Sequence, residues 1–237
     1  MYTKNIYEVD WKNVNIAPAN VLTSGPDARL VHSVTGNPVK FTYRPTGATA
    51  AIRNPYGNII LVQNTTGQKG FSYNFNVGVE KQTKKGFTFV ANYTYGSSQV
   101  YNEGTSSINT SNWTNMEAVN SRNSLPLSTS DFDMGHRIFA LVSKKFTYAK
   151  GHLATTVSFA YNGQSGSPYS YTTSGVGVIG DGGTNNDLMY IPLSRAEMDQ
   201  MSFVTNGTLT PSQQKDQFEE FIQSDKYLRN HRGKFAE

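Results

Sequence analysis

The sequence predicts an all-β protein built from antiparallel strands. Two segments alternate apolar and polar residues with a period of two, and the composition is rich in aromatic residues but poor in charge. Of the 237 residues, 12% are aromatic and only 16% are charged, against about 25% charged residues in an average globular domain. The polar remainder is mainly Ser, Thr, Asn and Gly, a mixture that favours neither a helical bundle nor a disordered chain.

The clearest hairpin covers residues 71–96. Strand side chains alternate between the two faces of a sheet, so one face of this hairpin is apolar and the other polar. The polar turn at 81–86 ends in glycine and separates the two strands, as expected for a hairpin. The residues expected on the apolar face are Phe71, Tyr73, Phe75, Val77 and Val79 before the turn, and Phe87, Phe89, Ala91, Tyr93 and Tyr95 after it.

A second hairpin is predicted over residues 137–162. Its return strand alternates from Leu153 to Asn162, with Val157 and Phe159 on the apolar side. Its outgoing strand, 138–146, is apolar on both sides, so the sequence does not assign its faces. Further strands are predicted at 2–14, 39–43 and 58–63.

One helix is predicted within the long connections that separate and follow the hairpins. Those connections cover 97–136 and 163–237. Thr210 and Gln213 have the spacing of a capping box, and Pro211 stands at the first helical position. The helix should cover Pro211–Ser224, with an apolar stripe at Phe218, Phe221 and Ile222.

The long connections favour a membrane β-barrel. Loops of this length are uncommon in compact domains, whereas outer-membrane barrels alternate short turns with long extracellular loops. Ten residues at about 3.3 Å each, tilted by about 45°, cover about 23 Å, close to the roughly 25 Å apolar band of such barrels. The predicted fold is therefore an antiparallel transmembrane β-barrel segment with one short loop helix, its aromatic face toward lipid. A soluble β-sandwich or a cell-surface adhesin or binding module is the alternative.

Other classes of protein receive less support. The sequence has no apolar run long enough for a transmembrane helix, and with no Cys it has neither disulfides nor thiolate metal ligands. The net charge of +4 comes from Lys and Arg that are scattered or lie in short turns and do not form a stripe, which does not favour nucleic-acid binding. The first residues lack the basic start and apolar segment of a secretory signal peptide.

Two groups of polar residues are candidates for chemistry. Asp181, Asn185 and Asp187 lie in a Gly-rich loop and could bind Ca²⁺, although Asx-rich turns also form for backbone reasons. Asp131, Asp133 and His136 could act as acid and base, as a secreted hydrolase would require, or form hydrogen bonds at strand ends. The G-x-G-x-x-G pattern at 175–180 lacks the strand and helix of a dinucleotide site. The sequence therefore predicts no enzyme.

The order of several motifs resembles TonB-dependent outer-membrane receptors of Bacteroidetes, and the Oar-like branch in particular. The hairpin at 71–96 is similar to a barrel hairpin of these receptors, and the similarity continues along the chain. The other similar stretches are 130–137 (SDFDMGHR), 161–171 (YNGQSGSPYSY), 181–192 (DGGTNNDLMYIP) and 231–237 (HRGKFAE).

The resemblance implies that residues 1–237 form part of the barrel domain of such a receptor. A complete barrel has about 22 strands, and this chain could supply roughly six to eight of them. The signal peptide, the plug and the final strands are expected to be absent from it.

The function that the resemblance implies is uptake of a bulky peptide, glycan or chelate across the outer membrane of a Gram-negative bacterium. Its partners would be outer-membrane lipid, the extracellular ligand, the TonB complex acting through the missing plug and, as a further candidate, a surface lipoprotein. No nucleic acid is expected, and no cofactor apart from the candidate Ca²⁺. Four aromatic residues of the long loops are predicted to contact ligand, because exposed rings stack on sugars and peptide side chains: Trp113, Tyr169, Tyr171 and Tyr190.

Overall fold

The computed structural model describes residues 1–5, 8–22, 25–32, 57–67, 69–175, 177–203, 205 and 207–236. The strand expected at 39–43 lies outside these ranges. The chain divides into two compact units. The sheet unit comprises Met1–Glu8, Thr66–Tyr101 and Leu127–Pro168, and the loop unit comprises Val9–Thr65, Asn102–Pro126 and Tyr169–Glu237.

Most of the regular structure is β-strand. The strands are β1 (Tyr2–Lys4), β2 (Val9–Asn13), β3 (Ala19–Leu22), β4 (Leu30–His32), β5 (Ile60–Asn64), β6 (Phe71–Gln82), β7 (Phe87–Val100), β8 (Ser128–Thr129), β9 (Gly135–Tyr148), β10 (Leu153–Gln164), β11 (Thr172–Thr173), β12 (Asp187–Leu188), β13 (Tyr190–Ile191) and β14 (Lys234–Phe235). The helices are α1 (Asn109–Thr114), α2 (Arg195–Met198), α3 (Pro211–Ser224) and α4 (Lys226–Asn230), and a 3-10 turn covers Ala149–Gly151. None of the helices in the described ranges is long and apolar enough to cross a membrane.

The sheet unit is an antiparallel meander in the order β1-β6-β7-β9-β10, with the short β8 paired to β7. Both predicted hairpins are confirmed, as β6–β7 and β9–β10. The four strands of these two hairpins are 12 to 14 residues long, longer than the ten residues assumed from the sequence. Among the described residues β10 pairs only with β9, so its outer edge has no strand partner there.

The register assigns the two faces of β9, which the sequence left open. Phe89 of β7 lies opposite Val142 of β9, and Val142 lies opposite Phe159 of β10. Directly paired residues point to the same side of a sheet, so Ile138 and Ala140 also share this side. We call it the apolar face: Phe71, Tyr73, Phe75, Val77, Val79, Phe87, Phe89, Ala91, Tyr93, Tyr95, Ile138, Ala140, Val142, Phe146, Tyr148, Leu153, Val157, Phe159 and Tyr161.

The loop unit has a core of its own, which the sequence analysis did not foresee. The predicted helix is confirmed as α3, and Thr210 and Gln213 form the expected capping box. Ile222 of α3 is fully buried. It packs in a cluster with Val178, Met189, Ile191, Met198, Met201, Leu228 and Ala236. The long connections are therefore packed by apolar side chains, which explains how loops of this length keep a fixed structure.

The register of the sheet can be tested with paired cysteines, because the chain has none of its own. Ala91 and Ala140 lie directly opposite each other, within the range of a disulfide. The Ala91→Cys/Ala140→Cys variant should therefore cross-link on mild oxidation, as detected by a mobility shift. The control pair Ala91→Cys/Leu141→Cys lies on opposite faces and should stay reduced; cross-linking of the control instead would mean that the register is displaced by one residue.

Candidate functional site

The apolar face of the sheet unit is exposed. The exposed fraction reaches 59% for Phe75, 67% for Val79 and 75% for Phe159. An antiparallel sheet of a soluble protein normally buries its apolar face and leaves the other to water. A contiguous exposed apolar surface of this kind marks contact with a partner or a membrane.

The opposite face carries mainly amide, hydroxyl and small side chains. Hydrogen bonds connect these side chains across strands: Asn76 Nδ2 donates to Thr94 Oγ1 at 3.1 Å. Val90 and Leu141 face each other within this side, and both are half-buried. The face therefore offers a polar wall with a small apolar patch and few charges. Its uncharged polar residues are Ser72, Asn74, Asn76, Gln82, Thr88, Asn92, Thr94, Ser98, Ser143, Thr147, Thr156, Ser158, Asn162 and Gln164.

Tyrosines gather on the apolar face where the strands approach the long connections. The rings of Tyr73 and Tyr95 lie 6.0 Å apart between centroids, and Tyr95 lies 4.8 Å from the ring of His136. The hydroxyl of Tyr93 is 2.7 Å from His136 Nδ1. Such rings combine an apolar body with a polar tip, which suits a boundary between apolar and aqueous surroundings.

Two of the three candidate acid and base residues, Asp133 and His136, form hydrogen bonds near strand ends. Asp133 Oδ1 accepts a hydrogen bond from the backbone N–H of Ser98 at 2.9 Å, and His136 is bonded to Tyr93. Asp131 is exposed at the start of the same segment. These contacts fit the structural alternative of the sequence analysis better than a catalytic one.

Trp113 is buried, so the expectation of an exposed ring is wrong for this residue. Its exposed fraction is 1%, and it packs with Trp11 and Ile16. Its indole N–H donates to Asn123 Oδ1 at 2.9 Å, so the polar group of the ring has a partner inside the core. Trp113 therefore stabilises the loop unit, and its ring is not available at the surface.

Tyr190 is also buried, and the expectation of an exposed ring is wrong here too. It belongs to β13, which pairs with β14, and its ring meets Phe235 edge-on with centroids 5.4 Å apart. Its hydroxyl donates to Glu197 at 3.0 Å. Burial, this hydrogen bond and the charge of Glu197 raise the pKa of Tyr190 to about 12.

The other two predicted ligand residues lie together in an aromatic cluster. Tyr169 is 70% exposed and Phe221 of α3 is 43% exposed. Half-buried Tyr171 contacts both, with centroid distances of 5.5 Å to Tyr169 and 5.8 Å to Phe221. The hydroxyl of Tyr171 donates to Asp225 at 3.0 Å. The neighbouring Tyr169 hydroxyl, burial and the Asp225 carboxylate raise the pKa of Tyr171. The sequence pattern places Phe221 on the apolar stripe of α3, but it gives no signal that Phe221 and Asp225 belong to this surface.

In the proposed metal loop, a buried arginine supplies the positive charge. The Arg122 guanidinium forms ion pairs with both Asp181 and Asp187, and its Nε donates to the carbonyl of Met116 at 2.8 Å. The side chains of all three charged residues are fully buried. Asn185 instead accepts a hydrogen bond from the backbone N–H of Gly175, as in a turn. Calcium binding by this loop stays a prediction, and both carboxylates already have a cationic partner.

Gly177, the second glycine of the 175–180 pattern, and Gly183 allow the backbone to approach this ion-pair cluster closely. A Cβ on Gly177 would lie 2.5 Å from a carboxylate oxygen of Asp187, and a Cβ on Gly183 would lie 2.8 Å from the Arg122 guanidinium. Gly177 and Gly183 are thus explained by packing around buried charges. Sequence reasoning could not find Arg122, because its partners are 59 and 65 positions away.

Comparison of the chain with models of known protein families, with curated proteins and with solved structures gave no match. A functional proposal therefore rests on the geometry described above and on the resemblance of the motifs.

Replacing Arg122 should destabilise the loop unit strongly. Removing one partner of a buried ion pair leaves uncompensated charge and costs about 3–5 kcal/mol, so Arg122→Ala should lower the free energy of unfolding by that amount. Both tryptophans of the chain, Trp11 and Trp113, lie in the loop unit, so their fluorescence in a denaturant titration reports on it. The control Arg195→Ala removes an exposed pair with Asp216 and should cost below about 1 kcal/mol. Equal losses for the two variants would contradict the structural role of Arg122.

Acid should destabilise the segment that contains α3 and α4. The backbone N–H of Leu228 and the hydroxyl of Tyr171 lower the pKa of Asp225. Hydrogen bonds from Gln223 and Arg232 outweigh burial and lower the pKa of Glu219. A carboxyl group with a lowered pKa in the folded state stabilises the fold above its ordinary pKa of about 4. That contribution is lost as the pH falls through the lowered value.

The expected measurement is the melting temperature between about pH 6 and about pH 3. It should fall with pH in the original chain and fall less in Asp225→Asn, which starts lower at neutral pH. Glu220→Gln changes an exposed position of α3 and should preserve the original pH dependence. Identical pH profiles for the original chain and Asp225→Asn would refute the assignment.

Proposed function

We propose that this chain forms part of the wall of a TonB-dependent outer-membrane receptor and contributes loops that capture an extracellular ligand. The proposal is non-enzymatic: the strands contact lipid, and energy for uptake comes from the TonB complex acting on a plug outside this segment. The observation that carries it is the exposed apolar face of long, regularly alternating antiparallel strands.

The two faces of the sheet suit a barrel wall. Barrel strands alternate lipid-facing apolar residues with lumen-facing polar residues. The apolar face contains aromatic and aliphatic residues with exposed fractions up to 75%. The other face presents amides and hydroxyls, which suit a wet or plugged interior. A soluble sandwich would instead bury the apolar face against a second sheet.

The strand length supports the same function. Strands of 12 to 14 residues at about 3.3 Å per residue and a tilt of about 45° cover about 28–33 Å. That length spans the roughly 25 Å apolar band of an outer-membrane barrel and leaves room for boundary residues. The tyrosines near the strand ends would lie at that boundary.

Ligand capture is assigned to the exposed aromatic cluster of the loop unit. Tyr169 and Phe221 expose ring surface beside Tyr171, and the Asp225 carboxylate adds a hydrogen-bond acceptor. Rings beside a carboxylate are suited to sugars and to peptide side chains. Trp113 and Tyr190 are not part of this assignment, because their rings are buried.

The orientation of the faces can be tested by spin labelling at two adjacent positions of β10. Phe159 lies on the apolar face and Ser158 on the other, and both are exposed. The full chain carrying Phe159→Cys or Ser158→Cys is labelled with a nitroxide and reconstituted into phospholipid vesicles. The label at 159 should collide mainly with oxygen, which concentrates in lipid, and the label at 158 mainly with a water-soluble nickel chelate.

Two results would overturn the proposal. One is equal access of the nickel chelate to both labels in vesicles. The other is a folded chain that stays in solution and does not float with the vesicles, which would favour the soluble sandwich or adhesin module.

A further inference from the structure

Lysines gather at one end of the sheet, beside the two short turns. Residues 80–87 and 143–153 contain six lysines and a single acidic residue, Glu80. We call the six the turn lysines. Both turns lie at the same end because β6, β7, β9 and β10 are consecutive antiparallel neighbours. The turn lysines are Lys81, Lys84, Lys85, Lys144, Lys145 and Lys150.

The backbone holds the first turn against the neighbouring strand β9. Gly86 has a φ of +77°, and a Cβ at this position would lie 2.8 Å from the carbonyl oxygen of Lys145. The carbonyl of Gly86 accepts a hydrogen bond from the backbone N–H of Lys145 at 2.9 Å. Glycine therefore permits a close approach that places Lys84 and Lys85 beside Lys144 and Lys145. These four lysines and Phe146 line an open cleft of about 400 Å³.

Lys144 joins the lysines to the apolar face. It lies opposite Phe87 in the register, on the apolar side of the sheet. Its ammonium nitrogen is 4.1 Å from the ring centroid of Phe87 and 5.8 Å from that of Phe146. Phe87 and Phe146 are 37% and 50% exposed. The charged ammonium group of Lys144 therefore lies directly beside the exposed rings of Phe87 and Phe146.

We propose that the turn lysines and the adjacent rings of Phe87 and Phe146 form a binding site for an anionic phospholipid. The phosphate group lies in the cleft beside Lys84, Lys85 and Lys144, and an acyl chain lies along the apolar face beyond Phe87. This inference rests on the proposed function, since it names a lipid for the membrane-facing surface.

Charge complementarity decides the choice of an anionic lipid. Placing several like charges together in a fold is unfavourable, and a bound phosphate relieves that repulsion. Lysine ammonium groups bind phosphate as point charges. A free phosphate ion would use the lysines alone, whereas the amphiphilic surface formed by Lys144, Phe87 and Phe146 matches a molecule that carries both a phosphate and an alkyl chain.

Binding can be measured with short-chain phosphatidylglycerol, added below its own micelle concentration to the full chain in an uncharged detergent. Each lysine near an anionic lipid surface contributes a factor of about five in binding. The Lys84→Gln/Lys144→Gln variant should therefore bind this lipid roughly 25-fold more weakly. The control Lys4→Gln/Lys69→Gln changes two exposed lysines near the opposite ends of the strands and should bind normally.

Three results would overturn the inference. Short-chain phosphatidylcholine could bind as tightly as phosphatidylglycerol, inorganic phosphate could bind with the same affinity as the lipid, or the lysine variant could retain full binding while its circular dichroism spectrum shows an intact sheet. If the phospholipid binding fails these tests while the spin label at position 159 lies in lipid, only the lipid site is refuted and the proposed function stands. A label at 159 in water would remove the proposed function whatever the lipid affinity.

Discussion

The pairing of β7 with both of its neighbours is the constraint on which the functional interpretation depends. From Thr88 to Gly96 this strand is paired to β6 on one side and to β9 on the other. Because strand side chains alternate, a slip of one residue would move every ring to the other face. The register therefore decides which residues meet an apolar environment, and it brings aromatic residues from four strands onto a single surface.

In the loop unit, side-chain packing and buried ion pairs take the place of strand pairing as the main source of order. Its apolar clusters are small, and fully buried charges accompany them: Arg29 pairs with Asp27, and Arg122 pairs with Asp181 and Asp187. Arg29 also donates to the carbonyl of Leu188 at 2.7 Å. Buried ion pairs contribute little net stability but strongly disfavour arrangements that break them. In a long connection rich in Ser and Asn, the hydrophobic pattern is weak. The buried ion pairs there favour one conformation over the alternatives that would break them.

The sequence was informative wherever the interactions are local. Alternation predicted β6, β7 and β10, and the spacing of Thr210 and Gln213 predicted α3, because these signals need only neighbouring residues. The faces of β9 could not be predicted, since both sides of 138–146 are apolar and only pairing with Phe89 and Phe159 distinguishes them. Arg122 and the burial of Trp113 depend on partners distant in sequence or on core packing, so they carry no local signal. The sequence suggested Ca²⁺ for the carboxylates of Asp181 and Asp187, which stays a prediction, and it gave no signal for the guanidinium that pairs with them.

The outer edge of β10 determines how fast the amide hydrogens of this strand exchange with solvent. Alternate amides of this strand point toward β9 and the others toward the edge that, among the described residues, has no strand partner. Deuterium should therefore replace every second amide hydrogen of β10 rapidly, whereas the amides of β7 from Thr88 to Gly96, where both neighbouring strands are paired, should exchange slowly. A further strand added at that edge would remove this alternation, so the exchange pattern of β10 distinguishes an open sheet from one that continues.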